Sequence, residues 1–206
     1  MIETKIIKID PENPEKEGIK EAARIINDGG LVAFPTDTVY GLGALYNNPK
    51  AIDRLYEVKE RPKDKLFTVH ISKKEVIKSL DCEIPYLAEV LMDRFWPGPL
   101  TIILNTKDRK KTIAFRMPNN KIAVSLINKS DGPVAAPSAN VSGRRPPVDA
   151  EHVLKDLDGK IDAVIDGGTT AIGKESTIID VTSFPYRVVR EGAISKILIQ
   201  DVWHSI

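Results

Sequence analysis

Cysteine is nearly absent: Cys82 is the only one in 206 residues, so no internal disulfide can form and an oxidising compartment gains no support. Long apolar runs are missing as well. No stretch approaches the length that spans a bilayer, and the opening MIETKIIKIDPENPEKEG has no apolar core of signal-peptide length. Histidine is scarce and scattered, at His70, His152 and His204, and no Cys/His spacing resembles a zinc site. There is no excess of one charge either, with 30 Lys+Arg against 29 Asp+Glu and a net charge of +1. A chain so balanced holds an anion only through a local cluster, not through its overall field. No G-x-S-x-G elbow occurs, nor a G-x-G-x-x-G fingerprint after a strand. What is left is a cytosolic chain of ordinary globular make-up, 42% hydrophobic and 29% charged, long enough to bury a full core.

Helical and strand patterns alternate from end to end, with no internal repeat and no low-complexity linker. Residues 5–9 form a short strand candidate closed by Asp10-Pro11. Ile19, Ala22, Ala23 and Ile26 recur at helical spacing, and Asp28-Gly29-Gly30 stops that helix. Residues 31–34 read as an apolar strand, and Asn48-Pro49 as the cap and first position of a helix running to about Val58. Strand 67–71, short helix 73–80 and helix 85–95 follow, the last stopped by Trp96-Pro97-Gly98-Pro99. Strands 101–105 and 112–117 flank a polar, basic connection and suggest a hairpin. Residues 122–127 fit either a helix or a buried strand. A strand at 134–136, a helix at 149–157, strands at 163–166, 177–181 and 187–190, and a helix from Ser195 complete the chain. Strands outnumber the helices available as crossovers, so the pattern predicts one α/β domain, residues 1–206, with a mixed sheet.

Three segments offer chemistry. In residues 34–43, FPTDTVYGLG, a strand ends at a proline and delivers two hydroxyls, a carboxylate and two glycines, so Gly41 and Gly43 permit close backbone approach to a ligand. A plain strand-to-turn transition, with Asp37 satisfying turn amides, explains the same residues. Residues 59–65 carry Lys59, Arg61, Lys63 and Lys65 around Pro62. Such a cluster can neutralise a polyphosphate, with Arg61 bonding bidentately, but basic residues also favour helix C-termini. In residues 135–147, small residues leave a strand, and Ser138, Asn140 and Ser142 then offer donors and acceptors in a loop. Together, the basic segment and the Ser138-Ala139-Asn140 loop suggest a site that holds a nucleoside triphosphate between them.

Two further features need weighing. Gly168-Thr169-Thr170-Ala171-Ile172-Gly173-Lys174 begins like a phosphate-binding loop, but Glu175 stands where Ser or Thr is needed and a strand follows instead of a helix. That loop is therefore rejected. Arg116, in a strand of otherwise apolar character, either pairs structurally or clamps a carboxylate. Phe95 and Trp96 at a helix end read as core instead of a base-stacking platform.

As a set, these segments resemble the YrdC-like family of threonylcarbamoyl-AMP synthases. The resemblance extends from about residue 18 to 195. It rests on FPTDTVYGLG at 34–43, K-x-R-P at 59–62 with His70 nine residues after Arg61, FWPGPLT at 95–101 and the strand of Arg116. APSAN at 136–140, STIID at 176–180 and VVREGAI at 188–194 continue it. Each piece is modest alone, whereas all of them in this order are specific.

The resemblance implies a single-domain, short form of the family, with a twisted mixed parallel/antiparallel sheet flanked by helices and enclosing a large positively charged cavity. It implies a nucleotidyltransferase that turns L-threonine, bicarbonate and ATP into threonylcarbamoyl-AMP and pyrophosphate. The product would pass to a threonylcarbamoyl transferase that makes N6-threonylcarbamoyladenosine in tRNA, and Mg²⁺ would arrive with ATP instead of on protein ligands. By the same resemblance, Lys59 and Arg61 are the catalytic pair. Arg61, Lys65, Thr112, Ser138, Asn140, the backbone near Pro146, and Arg190 contact ATP, while Thr38, His70, Arg116, Ala136 and Ser176 frame threonine. Lys65 departs from the family, which often has a neutral residue there. A non-catalytic module binding double-stranded RNA or tRNA is the competing reading, disfavoured by the balanced charge. A carbamoyl-adenylate enzyme of the kind found within hydrogenase-maturation proteins is a third, but the chain has neither the acylphosphatase nor the zinc-binding parts of those proteins.

Overall fold

The computed structural model describes residues 2–14 and 16–204, so Met1, Glu15, Ser205 and Ile206 of the expected domain lie outside the described residues. Ten strands form one sheet: β1 (Lys5–Lys8), β2 (Val32–Phe34), β3 (Gly41–Leu45), β4 (Thr68–His70), β5 (Leu100–Asn105), β6 (Thr112–Arg116), β7 (Val134–Ala135), β8 (Ala163–Asp166), β9 (Thr177–Asp180) and β10 (Arg187–Arg190). Their order is β1-β8-β2-β3-β7-β4-β6-β5-β9-β10. The sheet is mixed: β1–β8, β8–β2, β4–β6 and β5–β9 pair parallel, and the other neighbours antiparallel. Among the described residues seven helices accompany it: α1 (Lys16–Asn27), α2 (Pro49–Val58), α3 (Glu75–Ser79), α4 (Tyr86–Phe95), α5 (Lys121–Lys129), α6 (Ala150–Leu157) and α7 (Lys196–His204). Among the described residues no helix is long and apolar enough to cross a membrane.

Local chemistry sets the helix starts. Asn48 accepts from the amides of Lys50 and Ala51 at 3.1 and 3.2 Å, and Pro49 follows with no amide to satisfy. The ambiguous stretch 122–127 is helix α5, because the Asn120 side chain accepts from the Ala123 amide at 3.0 Å and caps it. Its buried Ile122, Ala123, Leu126 and Ile127 then lie on one face.

Side-chain alternation divides the sheet into two differently covered halves. In the β1-β8-β2 half, Val32, Phe34, Ala163 and Ile165 pack with α1 and α5, while Leu31, Ala33 and Val164 pack with α2 and α6. Both faces are covered, as strands paired in parallel require. In the other half, Leu100, Ile102, Leu104, Phe115 and Ile179 pack under α4 and α7. Their neighbours Ile103, Thr112, Ala114, Arg116, Ile178 and Asp180 face the opposite way and line a cavity. The open face of this half-sheet is therefore a floor. Trp96 is core, as read, with its indole N–H donating to the Leu100 carbonyl at 2.7 Å.

One expectation is corrected here. Residues 41–45 are strand β3, not a loose connection, and Gly43 leaves no room for a ligand. A Cβ at Gly43 would lie 2.8 Å from the Phe34 ring and 3.0 Å from Val134, so the glycine lets neighbouring strands pack. Gly41 alone of the two lines the cavity.

Candidate functional site

The cleft over the open half-sheet has two lobes. The first, of about 340 Å³, is floored by β4, β6 and β9 and walled by the 36–41 segment, Ala136 and Arg190. The second, of about 290 Å³, lies between the basic segment after α2 and the loop 138–146. Arg61, Ser138 and Glu175 line both lobes and so form the neck between them.

Strand register explains the convergence in the first lobe. Parallel pairing of β4 with β6 sets His70 opposite Arg116, and an isolated bridge joins Gly41 to Ser138. Arg116, only 4% exposed, is held from three sides. It donates to the Gly98 carbonyl at 3.2 Å, to Thr38 Oγ1 at 2.7 Å and to Asp37 Oδ1 at 2.6 Å. The structural pairing read for this arginine is present, and it uses three of the five N–H groups. Gly98 accounts for part of the FWPGPLT motif, since its carbonyl aims Arg116 and a Cβ there would meet the Phe95 carbonyl oxygen at 2.4 Å. His70 is fully enclosed with Nδ1 unpartnered. Burial, and then the charge of Arg116, hold its pKa well below the usual histidine value, so the ring is neutral.

Ser176 closes the far wall. Its hydroxyl shares a 2.9 Å hydrogen bond with Thr101 and accepts from Arg190 at 3.2 Å. Arg190 also donates to the Ser176 carbonyl and, at 2.7 Å, to Glu175 Oε1. The EGAI turn after β10 zips against the same residues. The Ala193 amide donates to the Glu175 carbonyl at 2.8 Å, and a Cβ on Gly192 would stand 2.2 Å from that carbonyl oxygen.

In the second lobe the basic segment is turned inward. Lys59, only 1% exposed, donates to the carbonyls of Ser138 and Asn140, the latter at 2.6 Å. Burial, reinforced by Arg61, brings its pKa down to about 8. Lys59, one of the catalytic pair that the resemblance implies, therefore braces the loop. Arg61 donates to the carbonyls of Lys65 and Leu66 at 3.1 and 3.0 Å and lies over the Phe67 ring. Asn140 commits its amide hydrogens to the carbonyls of Val141 and Arg144, leaving Oδ1 buried and unpartnered.

All thirteen candidate residues line this cleft. Thr38, His70, Thr112, Arg116, Ala136, Ser176 and Arg190 sit in the first lobe, Lys59, Lys65, Asn140 and Pro146 in the second, and Arg61 and Ser138 in the neck. The residues that the resemblance assigns to ATP are thus split, with Thr112 and Arg190 in the first lobe. Lys65 is exposed at the rim. Asp37, Thr101 and Glu175 were not among the candidates: the first two lie inside the quoted motifs, but the partners Arg116, Ser176 and Arg190 that draw the three to the cleft are distant in sequence. Residues 168–174 form no phosphate cradle; the amides of Ile172 and Gly173 bond the carbonyls of Asp37 and Thr38 and β9 follows.

The α/β sheet, open on one face of one half, thus bears a two-lobed cleft lined by Lys59, Arg61, Lys65, Arg116, Arg144 and Arg190 together with Glu175 and Asp180. The family model Sua5/YciO/YrdC, described as "Telomere recombination", matches residues 24–192. This chain belongs to that family. A threonylcarbamoyl-AMP synthase of Pyrococcus abyssi is 47% identical over 191 residues, which cover 89% of this chain and 56% of that protein. One of Bacillus subtilis is 44% identical over 193 residues, again 89% and 56%. The crystal structure of P. abyssi Sua5 complexed with L-threonine superposes with a TM-score of 0.92 at 45% identity, over 97% of this chain and 61% of that one. The chain spans little more than half the length of these curated relatives. They carry synthase names, so the RNA-binding alternative is not favoured.

Proposed function

We propose that this chain is the nucleotidyltransferase unit of L-threonylcarbamoyladenylate synthesis, with its core at about residues 18–195. The reaction joins L-threonine and bicarbonate to ATP and releases pyrophosphate. The observation that carries the proposal is the neck: two lobes of different character meet at Arg61, Ser138 and Glu175. Such a shape suits two substrates that must react with each other.

In the first lobe, Arg116 meets the threonine carboxylate through its two spare N–H groups, and Thr38, His70, Ser176 and the backbone at Ala136 frame the rest of the molecule. In the second lobe, Arg61, Lys65, Ser138 and Asn140, with the backbone near Pro146, hold the nucleotide. Thr112 and Arg190 reach it across the neck. Arg61 uses two of its five N–H groups on backbone carbonyls, so three point to phosphate oxygens. The amine adds to the carbon derived from bicarbonate, a carbamate oxygen attacks the α-phosphorus, and pyrophosphate leaves. No covalent enzyme intermediate is needed; the site acts by positioning and by neutralising phosphate charge in a partly closed cleft. Magnesium enters as part of the nucleotide substrate, with phosphate and water supplying most of its ligands. The product would be consumed by a separate transferase acting on tRNA.

The deciding experiment measures pyrophosphate release from ATP with threonine and bicarbonate each supplied or withheld. Release that requires both supports the proposal, and release that proceeds without either one rejects it.

A further inference from the structure

We infer that Glu175 is a catalytic residue of this cleft, whose carboxylate holds the α-ammonium of threonine at the neck and takes the proton lost as the amine becomes a carbamate. This assignment rests on the synthase reading above and gives a chemical role to Glu175, which that reading uses only to mark the neck.

The position of the chemistry is fixed by the two lobes. The carbamate oxygen must reach the α-phosphorus, so the threonine nitrogen has to lie where the lobes meet. Only Arg61, Ser138 and Glu175 line both. Arginine stays protonated and a serine hydroxyl is not basic at neutral pH, which leaves Glu175 as the one group there that can accept a proton. The other nearby carboxylates do not line the neck, since Asp180 borders only the first lobe and Asp37 borders neither. Asp180 accepts from the Thr182 amide and hydroxyl and faces Arg187, and Asp37 is tied to Arg116 and to the Asn119 amide. Glu175 gives Oε1 to Arg190 at 2.7 Å, which leaves Oε2 for a ligand.

Its placement is rigid. The Glu175 carbonyl is held by the Ala193 amide, and the close approach of Gly192 leaves no slack behind it. Arg190 meets one oxygen of this carboxylate, and the ammonium of threonine supplies a cation for the other. The balance of the step is R–NH₃⁺ plus HCO₃⁻ giving R–NH–COO⁻, water and a proton. The N–C bond forms and a C–O bond of bicarbonate breaks. Of the two protons the nitrogen loses, one leaves with that oxygen as water and the other goes to Glu175. The side chain is about one third exposed, at 34%, so the proton can pass on to solvent.

The test compares wild type with Glu175→Gln, measuring calorimetric affinity for L-threonine and for its deaminated analogue, 2,3-dihydroxybutanoate. Wild type should prefer threonine by about tenfold or more, the scale of a charge-assisted bond, and Glu175→Gln should erase that preference. Pyrophosphate release by the variant should be depressed near neutral pH and recover as pH is raised toward the range where the threonine ammonium sheds its own proton. A retained preference for threonine, with only KM for ATP raised, would overturn the assignment and reduce Glu175 to an orienter of Arg190. If Glu175→Gln fails to fold, Glu175→Asp keeps the charge and withdraws it from the neck. Its preference for threonine should fall severalfold, and an unchanged preference overturns the assignment equally. Should wild type itself need neither threonine nor bicarbonate, the synthase reading is what fails.

Discussion

Replacing Asp37 with asparagine tests the pairing on which the first lobe depends. The ion pair is deeply buried, with Arg116 at 4% and Asp37 at 7% side-chain exposure and Nη2 to Oδ1 at 2.6 Å. Asparagine keeps an acceptor for Arg116 and for the Asn119 amide, but it removes the only negative charge touching the guanidinium among the described residues. It also places an amide where Asp37 Oδ2 already lacks a partner. Breaking one side of a buried pair typically costs about 3–5 kcal/mol, and retention of the hydrogen bond argues for about 3. For a chain of this length, each kcal/mol moves Tm by about 2–4 °C, so Asp37→Asn should melt about 6–12 °C lower. Urea denaturation should show the same loss as a shifted midpoint with an unchanged slope. The double variant Asp37→Asn/Arg116→Met removes both charges and should recover much of the stability, while still failing to bind threonine. A loss below about 1 kcal/mol, or a double variant no more stable than the single, would show that Arg116 does not depend on Asp37.

Other perturbations reach the rest of the cleft. Arg61→Ala should lower kcat for pyrophosphate release by about a hundredfold, on the scale of one lost electrostatic donor; unchanged kcat and KM for ATP would remove Arg61 from the site. His70 is neutral when folded and is protonated below about pH 6.5 when unfolded, so the unfolded state binds the extra proton. Stability should therefore fall below pH 6.5 by up to about 1.4 kcal/mol per pH unit, and His70→Gln should flatten that slope in urea titrations between about pH 5 and 7. Gly192→Ala drives a Cβ to 2.2 Å from the Glu175 carbonyl and 2.5 Å from Ser176. Threonine-dependent turnover should fall with it and Tm should drop by several degrees; wild-type activity would mean that this turn does not position the wall.

Features decided within a few residues were legible in the sequence. The start of α2 follows from Asn48-Pro49, and β8 and β10 span the expected residues because short apolar or alternating runs end at polar ones. β3 was not legible. Gly41-Leu42-Gly43-Ala44-Leu45 has poor strand propensity, and it is made a strand by its neighbours β2 and β7, against which only a glycine fits at position 43. The segments of the cleft were visible as clusters of cations, hydroxyls and glycines, but their mutual pairing was not. Arg116 meets Asp37 across 79 positions of sequence, and Lys59 meets the Asn140 carbonyl across 81. No periodicity encodes a contact that only sheet order creates.

Those long-range pairings change what the cationic cluster is for. A free lysine or arginine in an open cleft would offer charge but would have to be ordered by the substrate, at about 0.5–1.5 kcal/mol for each flexible side chain. Here each of these cations is already anchored through part of its donor set: Lys59 on two loop carbonyls, Arg61 on two others, Arg116 on Asp37, Thr38 and Gly98, and Arg190 on Glu175 and Ser176. The anchors differ in kind. Backbone carbonyls leave Lys59 and Arg61 with their net charge, which suits phosphate. Carboxylates cancel the charge of Arg116 and Arg190, so these two contribute direction more than field. The second lobe should accordingly respond to salt and to charge-removing substitutions mainly through ATP, while the first should respond to changes of shape. A salt titration of KM for each substrate checks this: KM for ATP should rise with ionic strength much more steeply than KM for threonine, and equal slopes would mean that the two lobes are not electrostatically distinct.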